Sequence, residues 1–192
     1  MFPTAFKNET STLKYSSIHQ DIVLACQDGD RKAQFRLYSL YSKAMYNLCL
    51  RMLRNELDAE DVLQHSFMDV FSKLHTFRFQ SSIGAWIKRI VVNNCINFLK
   101  KKRLHFDELN ENQGHIASDA PSDSSGEFSV EAIRKALFLL PDGYRVVFSL
   151  YCMEGYDHKE ISEILSISVA TSKSQYSRAK QKMRQILRET KV

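Results

Sequence analysis

A chain of 192 residues has room for one or two domains with modest cores, and 27 Lys and Arg against 22 Asp and Glu leave it mildly basic. Six Gly and three Pro favour helices over strands, no apolar run approaches the ~20 residues of a membrane span, and the opening MFPTAFKNETSTLKYSS holds no apolar signal core. Cys26, Cys49, Cys95 and Cys152 stand far apart, with no CxxC pair and no His at ligand spacing, so a cytoplasmic protein with reduced thiols, no metal and no cofactor is expected.

Residues 1–18 are polar and aperiodic, which predicts a frayed N-terminal arm. A short helix is expected from Asp21 to Gln27, stopped by Asp28-Gly29. Asp30 is placed to cap a helix running to about Leu53. Its stripe of Phe35, Leu37, Leu40, Tyr41, Ala44, Met45, Leu48 and Met52 reads as core. Asn55 to Leu57 break the pattern and Asp58 restarts it, as a cap with Glu60 and Asp61 in the positive first turn. Val62, Phe67, Val70, Phe71 and Leu74 face inward, while Asp61, Gln64, His65 and Asp69 mark a polar flank that reads as solvated surface.

The stretch FRFQSSIGAWIKRIVVNNCINFLKKKR, Phe77 to Arg103, carries more chemistry. At about 100° per residue, Val91, Cys95, Phe98 and Leu99 fall on one side of a helix, with Ile87 and Val92 at its flank. Trp86, Arg89, Ile90, Asn93, Asn97 and Lys100 fall on the other, and Ala85 to Arg103 holds six cations and no acid. Rings stack on bases, carboxamides read base edges and cations hold phosphates, so this face suits bases taken out of a duplex. The structural alternative is an ordinary amphipathic helix with a solvated basic end.

Leu104 to Phe128 then holds six carboxylates and no Lys or Arg, with Ser, Asn and Gly throughout, which predicts a flexible acidic linker between two helical domains. Ser129 to Leu140 is helical, Pro141 to Gly143 a turn, and Tyr144 to Met153 a further helix stopped by Gly155. Asp157 with Glu160 resembles a capping box for a short helix bearing Ile161, Ile164 and Leu165. After the turn Ser166-Ile167-Ser168, a last helix reaches about Arg188, completing a helix-turn-helix outline. Val169, Tyr176, Met183 and Leu187 are its expected inner stripe. Ala170, Ser174, Ser177, Arg178 and Gln181 face outward, small enough for close approach and able to read base edges in a major groove.

Two stretches in this order, DAEDVLQHSFMDVFSKLHTFRFQSSIGAWIKRIVVNN and LPDGYRVVFSLYCMEGYDHKEISEILSISVATSKSQYSRAKQKMR, resemble those of bacterial sigma factors of the extracytoplasmic-function branch. The resemblance spans about residues 20–188 and implies an all-α protein of two small helical domains. A region-2-like domain would occupy 19–103, the acidic linker 104–128 and a region-4-like helix-turn-helix domain 129–192, after the arm at 1–18. It implies a subunit that binds core RNA polymerase, recognises promoter DNA as duplex and as melted non-template strand, and admits an anti-sigma protein as a further partner. By position, Asp58, Asp61, Gln64 and His65 would face the polymerase clamp. Phe77, Arg78, Phe79 and Gln80 would form the loop that holds a flipped base. Trp86, Arg89, Asn93, Asn97 and Lys100 would cover the minus-ten element. Ala170, Thr171, Lys173, Ser174, Ser177, Arg178 and Gln181 would address the minus-thirty-five element, and the linker would pass through the polymerase cleft.

The chain departs from the family pattern at several places. His65 stands for a usual Glu, Phe79 and Gln80 for a common Gly and acid, and Ala170 for a usual Gly. Ser172 replaces a branched apolar residue, which predicts a looser seat for the recognition helix. Two other functions compete. An autonomous helix-turn-helix regulator, using residues 20–103 for dimerisation or sensing, leaves the aromatic–amide face and the acidic linker without a role. An enzyme is disfavoured, because the chain shows no phosphate loop, nucleophile elbow or HExxH and its six His are scattered.

Overall fold

A computed structural model describes residues 19–104 and 128–189. The expected arm at 1–18 and all but the end residues of the expected linker lie outside the described residues. Those described contain eight α-helices and no strand, and they group in two compact units, one of residues up to 50 with 55–95 and the other of 51–54 with residues from 96 on.

In the first half of the chain, α1 (Gln20–Gln27) is closed by Asp28, and Gly29 at φ 86 turns the chain into α2 (Arg31–Leu53). The Asp30 carboxylate accepts from the Lys32 N–H at 2.7 Å, as an N-cap should. Leu37, Met45, Leu48 and Cys49 are buried. Phe35, Leu40 and Ala44 are not, so the expected stripe was too wide. Phe35 stands two residues before Leu37, about 200° away around the helix. Arg54 then adopts a left-handed φ of 62, and the next residue, Asn55, accepts from the Asp58 N–H at 2.9 Å. The cap of α3 (Glu56–Lys73) is therefore Asn55, and Asp58 lies inside the first turn instead of ahead of it. A tight turn, Leu74–Thr76, is tied to α1 by the Gln27 side chain, which donates to the Leu74 carbonyl at 2.8 Å.

Helix α4 (Ile83–Leu104) starts where the Ser82 hydroxyl accepts from the Ala85 N–H at 3.2 Å. Ile87, Val91, Val92 and Cys95 are fully buried, and Phe98 and Leu99 half-buried. Gly84 lets α4 lie close to α2: a Cβ there would stand 2.8 Å from Tyr41 Cε1. Cys95 Sγ sits 3.7 Å from Cys49 Sγ. That contact, followed by burial, pushes the Cys95 thiol well above its usual pKa. Asn94 donates to Ser66 Oγ at 3.1 Å and to Asp69 Oδ2 at 3.0 Å, locking α3 to α4. That amide, together with Lys73 at 3.2 Å, holds the Asp69 carboxyl below its ordinary range against the opposing effect of burial. Asp69 is thus a structural acceptor, not part of a solvated flank.

In the second unit, the Ser129 hydroxyl accepts from the Ala132 N–H at 3.1 Å to cap α5 (Val130–Leu139). Pro141 directly precedes α6 (Asp142–Phe148), which begins two residues before the expected Tyr144. Arg145 is fully buried, paired with Asp142 at 2.7 Å and donating to the Leu140 carbonyl at 3.1 Å. The helix continues as one π turn, Ser149–Met153, and Gly155 at φ 78 ends it. A complete capping box opens α7 (His158–Leu165). The Asp157 carboxylate accepts from the Lys159 and Glu160 N–H groups at 2.7 and 2.8 Å, while Glu160 accepts from the Asp157 N–H at 2.8 Å. Ser166 closes α7 at φ 58. Ser168 Oγ, accepting from the Thr171 N–H at 2.9 Å, caps α8 (Val169–Glu189). Ala179, Met183, Ile186 and Leu187 of α8 bury against Ala136, Leu137 and Leu140. Val169, expected inside, is 39% exposed; the buried position in that turn belongs to Ser172.

Candidate nucleic-acid interface

The outward row of α4 follows from the burial of its opposite side. Arg89, Asn93, Asn97 and Lys100 are exposed, and Trp86 and Ile90 half-buried. The row therefore runs about 14 residues, ~21 Å, along one helix face. Asn93 and its neighbour Asn94 divide two roles. Asn94 spends its donor on the α3 contact, while Asn93 has no hydrogen-bond partner among the described residues and keeps an amide donor and acceptor accessible.

The loop before α4 extends that row. Phe77 is buried at 5% exposure, with its N–H bonded to the Leu74 carbonyl at 3.0 Å. Its ring lies 5.4 Å from Trp86 and 4.9 Å from Phe79, so three aromatics join end to end. Phe79 is half-exposed with φ 57, while Arg78 and Gln80 on either side are exposed. Phe77 is the support of the group, and Phe79 and Trp86 are its accessible faces.

On α3, Asp61, Gln64 and His65 are exposed and Asp58 half-buried. Sequence reading missed two residues of the same surface. Leu57 and Met68 are 72% and 69% exposed, and Leu57, Asp61, Gln64 and Met68 are spaced 4, 3 and 4, which puts them on one helix face. The visible signal was the same spacing, but scattered apolar residues are common on surfaces and are weak evidence alone.

In the helix-turn-helix unit, Ala170, Lys173, Ser174, Ser177 and Arg178 are exposed and Gln181 half-buried. Arg178 has no ion-pair partner among the described residues. Thr171 belongs to the cap: its hydroxyl meets Ser168 Oγ at 2.8 Å and its N–H is bonded there too. Ser174 donates to the Thr171 carbonyl at 3.0 Å, leaving lone pairs outward. Lys173, Arg178, Lys180, Lys182, Arg184 and Arg188 keep the helix cationic along its length.

Ser172 does not loosen this helix. It is fully buried, and its hydroxyl lies 2.9 Å from His158 Nδ1 at the start of α7. The His158 ring stacks on Tyr151 at 4.5 Å, and Tyr151 lies 4.5 Å from Tyr176. The π turn delivers Tyr151 to this cluster. The contact with the Cys152 thiol, at 3.4 Å, and then burial push the Tyr176 phenol up to about 12, and Lys180 Nζ sits 4.7 Å over its ring. A polar residue is accommodated here because a partner 14 residues away satisfies it, which spacing alone does not reveal.

Residues 37–105 match the family model described as Sigma-70 region 2, and residues 130–183 that described as Sigma-70, region 4. The chain is 30% identical over 172 residues to the ECF RNA polymerase sigma factor SigW of Bacillus subtilis, covering 84% of this chain and 92% of that one. It is 28% identical to the ECF RNA polymerase sigma-E factor of Haemophilus influenzae, over 84% and 91% of the two chains. In fold it is similar to the sigma factor RpoE of Bartonella quintana, solved with the anti-sigma factor NepR. That match has a TM-score of 0.55 and 21% identity, over 80% of this chain and 95% of that one. Among the described residues, no helix is long and apolar enough to cross a membrane.

Proposed function

The chain belongs to the extracytoplasmic-function sigma factors, subunits that direct RNA polymerase to promoters, and we propose how its surfaces divide that work. The outward α4 row takes the melted minus-ten strand: Trp86 stacks, Asn93 and Asn97 meet base edges, and Arg89 and Lys100 hold phosphates. Phe77, Arg78, Phe79 and Gln80 form the loop beside it that receives an unpaired base. Ala170, Lys173, Ser174, Ser177, Arg178 and Gln181 face the minus-thirty-five duplex, with Thr171 holding the start of their helix. Asp58, Asp61, Gln64 and His65, joined by Leu57 and Met68, make the core-polymerase surface. Apolar anchors beside carboxylates suit a partner that buries area and orients by charge.

Residues 19–103 and 129–192 serve as the two DNA-binding domains, with 104–128 as the link between them. The protein acts in the cytoplasm, performs no chemistry of its own, and is a candidate for control by an anti-sigma protein, as RpoE is bound by NepR. The observation that carries this reading is the α4 face: aromatic, amide and cationic groups stay accessible while Ile87, Val91, Val92 and Cys95 on the other side are fully buried. An autonomous regulator has no use for such a face.

The test is reconstitution with core polymerase. The protein alone should leave promoter thymines unreactive to permanganate, and the holoenzyme should make them reactive. Promoter opening without association with core enzyme would refute the assignment.

A further inference from the structure

We propose that His158 is a positioning residue for minus-thirty-five recognition: its hydrogen bond to the buried Ser172 hydroxyl holds the reading half of α8 at the angle the duplex requires. This rests on the reading of α8 as the helix that faces the minus-thirty-five duplex, and adds what fixes that helix in place.

The two halves of α8 are seated in different ways. Its later half is anchored by Ala179, Met183, Ile186 and Leu187, which bury against α5. Residues 169–178 carry every proposed base-facing side chain except Gln181, and among them Ser172 alone is buried. Its hydroxyl lies 2.9 Å from His158 Nδ1, and a hydroxyl can accept from that nitrogen or donate to it, so the contact holds in either ring tautomer. His158 is itself fixed from two directions. Its backbone opens α7 behind the Asp157–Glu160 capping box, and its ring stacks on Tyr151 at 4.5 Å and meets Tyr176 edge-on at 5.7 Å. The turn at 166–168 joins the end of α7 to the start of α8. The bond adds a second tie, from the far end of α7, and two ties fix an angle that one leaves free. Ser172 stands where the family pattern has a branched apolar residue, so this polar tie belongs to this chain. Hydrogen bonds to base edges form over a window of only about 0.5 Å, whereas attraction to phosphates falls off slowly with distance. Lys180, Lys182, Arg184 and Arg188 lie in the anchored half. Loosening the reading half should therefore remove base discrimination and spare general hold on the backbone.

The experiment uses holoenzyme assembled with full-length protein and compares His158→Asn, His158→Leu, and His158→Leu combined with Ser172→Ala. Asparagine carries a polar atom on Cγ in the place of Nδ1, while leucine fills space without a bond. The double variant also removes the hydroxyl that leucine leaves unsatisfied, so the test does not depend on the fold tolerating His158→Leu. Competition among promoters with single-base changes in the minus-thirty-five element measures discrimination, and a duplex without a promoter measures general affinity. His158→Leu should lower discrimination roughly ten-fold and leave general affinity within about two-fold. His158→Asn should keep discrimination within about three-fold of wild type. The double variant should melt at a higher temperature than His158→Leu and still discriminate as poorly, which a purely structural role would not produce. Discrimination that returns with stability in the double variant, equal loss of specific and general affinity in His158→Leu, or a His158→Asn variant as poor as His158→Leu would each overturn the inference. A wild-type holoenzyme indifferent to the minus-thirty-five sequence would overturn the reading of α8 and this inference with it. Discrimination retained by His158→Leu, with wild type discriminating, overturns this inference alone.

Discussion

Asn93 and Asn94 are chemically identical neighbours, and one step of about 100° around α4 separates a structural amide from an accessible one. Removing the Asn94 amide takes a hydrogen bond from the Asp69 carboxylate, so Asn94→Ala should destabilise the protein by about 1.5–3 kcal/mol at neutral pH. Because the Asp69 pKa is depressed on folding, this contribution is present above its ordinary value of 3.8 and is lost as pH falls through the lower folded value. Urea unfolding of wild type and variant at neutral and acid pH should show the gap closing at the acid end; a gap independent of pH would contradict the pairing. Asn93→Ala should leave stability within about 0.5 kcal/mol. It should slow open-complex formation on duplex promoters, measured by permanganate reactivity, and change the minus-ten preference. A premelted template should restore the rate and not the preference. Spacing was enough to put Asn93 outward, because alternation around a helix needs no partner. The role of Asn94 was not legible, because it depends on Asp69, which lies 25 residues earlier on another helix.

Among the elements, helix ends signalled by a short polar residue were legible where that residue had no competitor, as at Asp157 and Ser168. At Asn55 and Asp58 two capable caps stood three residues apart, and the left-handed Arg54 decided between them, a conformation that composition does not display. The long stripe of α2 admitted too many members because its sequence offers apolar residues over more than half the turn. The π turn has no sequence mark at all, yet it brings Tyr151 to His158 and so helps seat α8. His158→Ala should leave the buried Ser172 hydroxyl without its partner and cost about 1–3 kcal/mol. Adding Ser172→Ala should recover part of that loss, a non-additivity that thermal unfolding of the two single variants and the double variant would measure. Strictly additive costs would mean that the two groups do not depend on each other. On the outer face of the same helix, Arg178→Ala should lower discrimination at the upstream element by about 1–3 kcal/mol. Lys173→Ala should instead reduce the slope of log affinity against log salt by about 0.9, as one lost phosphate contact would. Competition binding across promoter variants and a salt titration separate the two effects.

For the whole molecule, the two DNA-facing surfaces are useful only when a third surface joins the chain to polymerase. Leu57 and Met68 are the exposed apolar residues on the flank that carries Asp61 and Gln64. Met68→Glu changes a side chain that is 69% exposed, so the fold should tolerate it. Co-purification with core polymerase should nevertheless fall at least ten-fold, and free-protein unfolding should stay unchanged. Undiminished association would remove α3 from the polymerase surface. Fold class and family were readable from the chain because periodicity and the order of two motifs persist along its length. This apolar contribution was not, since an exposed methionine becomes informative only once its neighbours on the face are known.

The buried thiols also give the first unit its own alarm. Cys49 and Cys95 are completely enclosed, and Cys26 is raised by burial and by the nearby Asp30 charge, so all three are poor targets for a thiol reagent while that unit stays closed. Cys152, in the second unit, is exposed. A native sample should take up one alkylating label promptly and three more only at the rate at which the first unit opens. Mass spectrometry of the labelled chain would then time that opening residue by residue, without any engineered probe.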